Sequence, residues 1–225
     1  MFKWGTNPPR LFFGEGGVDD AEDADVIIHE LGHAISHGAA PASTNGDERR
    51  TFDEALGDYF AERYGRMSGV QSTRIFDWDG NNTFWNGRSA VYDGQKDYNT
   101  ISSFWNIYQH TDIMVGAMLE FSAATTVNDS LADKIVLESL YQLMSFQSLR
   151  DIAENILSAD SIVNNGNYSQ AIYTAFGAPK NILSGISIKE EDKGEKTPYL
   201  SYGDNVRVIF PSDETYSYQI YSLNG

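Results

Sequence analysis

The sequence predicts a mainly α-helical fold followed by a small β appendage, and three features point to it. Apolar residues recur at helical spacing over 47–66 and again through about 104–177. Between them, 67–103 is dense in Gly, Asn, Asp and aromatics without sustained periodicity. After Pro179 the texture turns to short β-prone pieces around the charged run KEEDKGEKTP. At 225 residues the chain can bury a substantial core as one domain plus an appendage. We divide it into a helical lobe over 1–180, a linker over 181–198 and a partial β piece over 199–225.

Residues 1–24 contain GTNPPR and GEGGVDDAED, a loop composition leading into a helix capped by Asp23 or Asp25. That first helix is expected to run to about His37 and to stop at Gly38, ahead of Pro41. Val26, Ile27, Ile28, Leu31, Ala34 and Ile35 make it apolar nearly all round, the pattern of a central helix. A second helix over 47–66 places Phe52, Ala55, Leu56, Tyr59 and Phe60 on its apolar side, with Gly65 near its end. The long irregular stretch that follows is expected to form a wall or carry function. Helices then return in SFWNIYQHTDIMVGAMLEFSAAT, LADKIVLESLYQLM, SLRDIAENILSAD, with a capping box at Ser148 and Asp151, and YSQAIYTAFG. No repeat of 20–50 residues is visible.

Composition removes several classes of function. With 16 Lys+Arg against 32 Asp+Glu the net charge is -16, so a phosphate backbone or an anionic membrane would be repelled and nucleic acid is not an expected partner. No run of about 18 apolar residues exists to span a bilayer, and the first residues lack the apolar core of a signal peptide. There is no cysteine, which excludes disulfides, thiolate metal sites and thiol nucleophiles. Any metal must be held by histidine and carboxylate.

The chain has four histidines, and two of them stand in the pentamer HELGH, residues 29–33. On a helix, residues four apart lie about 40° apart in azimuth and roughly 6 Å apart along the axis, so His29 and His33 project from one face and can reach one ion. A catalytic zinc takes three protein ligands and keeps one position for water, beside which Glu30 would stand as general base. Glu54 comes 21 residues after His33 on the second helix, in DEALGD, where a turn of chain can fold it back to the same metal. Asp58, one turn further on, could accept the free ring N–H of a ligating histidine and fix its tautomer. Gly32 is easier to understand if another backbone packs against it.

HELGHAISHG followed by FDEALGDYFA resembles the gluzincin metallopeptidases, thermolysin-like and fungalysin-like, whose pattern is His-Glu-x-x-His and then Glu-x-x-x-Asp. The lead-in GEGGVDDAEDADVIIHELGHAI and the later GAMLEFSAA, DKIVLESLYQLM and AENILSAD look closer to fungalysin, and the resemblance covers roughly 11–177. It implies a helical zincin catalytic lobe in which His29, His33 and Glu54 hold Zn2+, Glu30 is the catalytic base and Asp58 supports a histidine. The implied function is a secreted or cell-surface zinc metallopeptidase, most simply a metalloendopeptidase, that cleaves extracellular proteins or peptides through a zinc-activated water. A metzincin would want a third histidine at position 39, which is Ala39. Only a short piece precedes residue 25, so the N-terminal β lobe of thermolysin-like enzymes is expected to be missing or abbreviated. The tail, ending YQIYSLNG, is similar to the opening half of the β-sandwich sorting domain of type IX secretion, without its usual Pro-Asn-Pro, and implies the secretion machinery as a partner. The competing class is a non-catalytic surface module with a structural zinc, closed by a fourth protein ligand such as His37 or His110, or with an incomplete substrate cleft.

A donor for the developing oxyanion is also needed. His110 is the candidate, with Tyr92, Tyr98 and Tyr108 as rivals. His37 drifts about 80° from His29 in azimuth and reads as a C-terminal residue facing the helix dipole. Glu15, Asp19, Asp20, Glu22, Asp23 and Asp25 raise calcium as a second cation, but a cage of six to eight oxygens lacks downstream partners, with Gly65 where one would fall. We read these acids as solvated groups at a helix N-terminus. Arg88 reads as a structural ion pair before a wall or substrate-carboxylate residue, and Trp78, Phe84, Trp85 and Trp105 as core or cleft lining.

Overall fold

A computed structural model describes residues 1–3, 5, 9–15, 18–70, 73–81, 83, 85–124 and 126–183, with the backbone of 199–201 and 207–209. Its chain contacts divide it into two units, Met1–Gly185 and Ile186–Gly225. The fold is mainly α: six helices and three two-stranded antiparallel pairs among the described residues. In the second unit β5 (Tyr199–Ser201) pairs with β6 (Arg207–Ile209) in the register Leu200↔Val208. Most of the expected linker and of the 199–225 sorting-domain reading, like Phe84, lies outside the described residues.

In the first unit a hairpin of β1 (Phe2–Lys3) and β2 (Arg10–Leu11) precedes α1 (Ala24–Ala39) and α2 (Asp47–Met67). The Asp23 side chain caps α1 by accepting from Asp25 N. The helix runs through the expected stop at Gly38 and ends one residue later, because Pro41 disfavours helical geometry at Ala40, whose φ is -136°. Ser43 Oγ then donates to Ala40 O at 2.7 Å. Next come the pair β3 (Arg74–Ile75) and β4 (Arg88–Ser89), then α3 (Thr111–Ala123), α4 (Asp129–Ser139), α5 (Leu149–Asn164) and α6 (Ser169–Phe176). Ser148 and Asp151 form the expected capping box on α5.

The centre of the core is α2 and α3, not α1. Phe52, Ala55, Leu56 and Tyr59 of α2 and Ile113, Met114, Val115, Ala117 and Met118 of α3 are wholly buried, and α4, α5 and α6 close around them. The only buried residues of α1 are His29, Gly32 and Ser36, while Ile27 and Leu31 are exposed. The reason is that the face α1 turns to α2 is its polar, narrow one, which meets acids on α2, so its apolar side chains are left on the flanks. Trp78, Trp85 and Trp105 are exposed, against their expected place in core or cleft. Among the described residues no helix is long and apolar enough to cross a membrane.

Candidate metal centre

The centre is built at the crossing of α1 and α2. Gly32 faces Gly57 so closely that a β-carbon on Gly32 would stand 2.9 Å from Gly57 Cα. Without side chains to separate them the two backbones approach, and the His29 ring lies in the notch left by Gly57. One helical turn of α1 then supplies His29 and His33, whose rings meet edge to face at 4.7 Å, and one turn of α2 supplies Glu54 and Asp58.

His29 Nε2 is 3.4 Å from Glu54 Oε2, and His33 Nε2 is 3.6 Å from Glu54 Oε1. Two donors about 2.1 Å from a tetrahedral ion stand about 3.4 Å apart, so this spacing fits three ligands around one small cation. His29, His33 and Glu54 are a group that could hold a metal ion, with donor atoms all within 4.8 Å of one another. No other such group occurs among the described residues, the acids before α1 included. Asp23 and Asp25 instead accept backbone N–H groups, Asp23 from Asp79 at 2.8 Å and Asp25 from Phe76 at 3.0 Å, tying the loop after β3 to the start of α1.

Asp58 is fully buried, and its Oδ1 lies 2.9 Å from His29 Nδ1. The other ring nitrogen, Nε2, faces Glu54. The same oxygen accepts from Arg88 at 2.8 Å, and Arg88 reaches Glu54 Oε2 at 3.5 Å. Arg88 is thus an ion pair, as expected, but one made with two residues of the centre. The guanidinium also stacks between Phe76, at 5.1 Å, and Tyr108, at 5.2 Å. It arrives there through the β3–β4 register, Ile75 opposite Arg88, which spacing along the chain could not reveal. A second group unseen in the sequence is Arg49, wholly buried, which holds Asp53 at 2.8 Å and donates to Ser36 at 3.1 Å. Its signal was present in the i,i+4 spacing of Arg49 and Asp53.

Electrostatics without an ion already call for positive charge. Burial alone would lower the His29 pKa, but Asp58 and Glu54 outweigh it and hold it up to about 9. His33 is pushed down by burial and then by the charge on His29. For Glu54 burial works upward, yet the imidazoles and Arg88 pull the carboxyl below its ordinary value.

The centre opens into a cavity of about 430 Å³ lined by His29, Glu30, His33, Glu54 and Tyr108 among others. Glu30 Oε2 accepts from the backbone N–H of Phe2 at 2.5 Å. His37 lines the cavity with its ring 5.7 Å from Phe2 and stays outside the metal-holding group. His110 is not brought to the cavity. As the residue before α3 it sits at the cap, with its ring against Phe104 at 5.4 Å. Of its rivals, Tyr92 donates to Lys96 O and Tyr98 to Glu48, whereas Tyr108 lines the cavity.

No family model matches the chain, and neither does any curated protein with which it was compared.

Proposed function

We propose that the chain is a zinc metallopeptidase of the gluzincin type that hydrolyses peptide bonds of extracellular proteins or peptides. The observation that carries this reading is the donor set itself: two imidazole nitrogens and one carboxylate within 4.8 Å of one another, with a second carboxylate, Glu30, lining the same cavity. A bound Zn2+ would supply polarisation of the scissile carbonyl and a water acidified toward a pKa of about 7.

The protein's own groups do the rest. Glu30 takes a proton from the attacking water and passes it to the departing amine. In the cavity its carboxylate accepts from the Phe2 N–H and lies 3.2 Å from the Met1 ammonium. Asp58 orients His29, and Arg88 holds Asp58 and Glu54 against their mutual repulsion. Tyr108 takes the donor role expected of His110. Its phenol is pushed up, first by the charge on Glu54 and then by burial, which keeps the O–H available to an oxygen gaining negative charge. A closed structural site would need a fourth protein ligand, and His37, which lines the cavity, is outside the group of three.

The test is zinc content measured beside proteolysis. Glu30→Gln should keep the metal and lose casein digestion, His33→Ala should lose both, and in the unaltered protein a chelator should abolish digestion and added zinc restore it. Stoichiometric zinc with no digestion would reject the catalytic reading in favour of a structural one.

A further inference from the structure

One cation at the cavity has no ion-pair partner among the described residues. Arg50 lies on α2 four residues before Glu54, one helical turn or about 6 Å along the axis, and it lines the cavity that holds His29, Glu30 and Glu54. Among the described residues it is the only lysine or arginine of that lining, and its side chain is exposed. It makes no ion pair and no hydrogen bond among the described residues, although acids surround it on its own helix. Asp53 is taken by Arg49 at 2.8 Å and by Ser36 at 2.6 Å. Glu54 is taken by the two imidazoles and Arg88. Asp47, three residues before Arg50, makes no ion pair with it.

In a chain of net charge -16, with twice as many acids as bases, this guanidinium stands unpaired beside carboxylates that already have partners. Arg49 is committed to Asp53, Arg88 to Asp58 and Glu54, and the Met1 ammonium to Glu30, which leaves Arg50 without an acid partner. Guanidinium presents a planar fork of N–H donors matched to a carboxylate.

We infer that Arg50 is a specificity residue that selects peptides carrying a carboxylate close to the bond cleaved. This rests on the peptidase reading above. An extended peptide advances about 3.3–3.6 Å per residue, so a turn of α2 corresponds to one or two residues from the scissile bond. The carboxylate is either an acidic side chain or the terminal carboxylate of the peptide, and the two are separable by experiment.

Three acetylated alanine-based hexapeptides with one phenylalanine serve as probes: one with an internal glutamate and an amidated end, its glutamine counterpart, and the glutamine peptide with a free terminal carboxylate. Turnover is measured with the zinc-loaded protein and with Arg50→Gln, and binding is measured by calorimetry on Glu30→Gln with and without Arg50→Gln. We expect one of the two carboxylate peptides to be preferred over the neutral one by about tenfold in kcat/KM and in affinity at low salt. In Arg50→Gln both ratios should collapse toward one, and Arg50→Lys should retain part of the preference. Preference for the glutamate peptide assigns a side chain, and preference for the free end assigns a chain terminus. A carboxylate preference that is absent, or that survives Arg50→Gln, overturns the inference while leaving the peptidase reading in place. If no peptide is cut, the peptidase reading fails, and the binding ratios on Glu30→Gln still decide whether Arg50 selects a carboxylate.

Discussion

Gly57 holds open the space that the His29 imidazole occupies: a β-carbon at Gly57 would lie 2.4 Å from His29 Nδ1. The obstacle is a ring pinned by Asp58 on one side and Phe76 on another, not the free end of a long side chain. Gly57→Ala should therefore push the ring off its ligand position and weaken zinc binding by tenfold or more, with about 1–3 kcal/mol lost from overpacking. Gly38→Ala is the control, because nothing lies within 4 Å of its added carbon, and it should stabilise α1 by up to about 1 kcal/mol. Zinc titration and urea unfolding of the two variants check both.

Arg88 pairs with Asp58 at 2.8 Å and reaches Glu54 at 3.5 Å, on the same oxygens that face His29. Its replacement by methionine leaves a fully buried carboxylate with one charged partner, and the metal-free protein should lose about 1–3 kcal/mol in urea unfolding. The same change leaves the centre more negative. Zinc should then raise the stability of Arg88→Met by more than it raises that of the unaltered protein. An equal or smaller increment would show that Arg88 does not act on the centre through its charge.

Asp25 links the fold to pH. Burial, with added repulsion from Asp23, Asp77 and Glu62, raises its pKa from 3.8 to about 6, against the pull of the Phe76 N–H. A carboxyl raised on folding favours the fold when protonated. Its contribution is present below about pH 4, is lost as pH rises through about 6, and leaves a charged, half-buried group at neutral pH. Asp25→Asn keeps an oxygen for the Phe76 N–H and should raise Tm at pH 7.5 by a few degrees, with the difference shrinking toward pH 4. A uniform effect across that range would contradict the assignment.

In the metal-free protein His29 carries a proton up to about pH 9, which a metal must displace. Apparent zinc affinity should fall about tenfold per pH unit from 8 to 6. The sign for folding is the same as that for Asp25, in a higher pH window. A histidine raised on folding stabilises the metal-free fold fully below pH 6.5, and the contribution is lost as pH rises through about 9. Competitive titration with a chelating dye at three pH values, and thermal unfolding after dialysis against chelator, measure the two effects.

Much of the helical frame could be read from periodicity and caps, as at Ser148 and Asp151, because those signals are local. The three residues that could hold a metal were legible for the same reason: two are one turn apart on a single helix, and the third sits on the next helix in a charged string. Gly32 also signalled the close crossing. What stayed hidden depends on pairing across distance. Arg88 joins the centre through a two-residue strand too short for any pattern. The burial of α1 was overestimated because apolar composition says nothing of which face a neighbour covers, and here the neighbour is a row of acids. His110 was placed by its chemical type, whereas its position at the cap of α3 turns its ring onto Phe104.

X-ray absorption at the zinc edge of the purified, zinc-loaded protein tests the centre most directly. We expect one zinc per chain with two imidazole nitrogens, one carboxylate and one further oxygen that is not from the protein, and loss of that signal in Glu54→Ala. A shell with a third imidazole, or a stoichiometric zinc that persists unchanged in Glu54→Ala, would contradict a catalytic centre built from His29, His33 and Glu54.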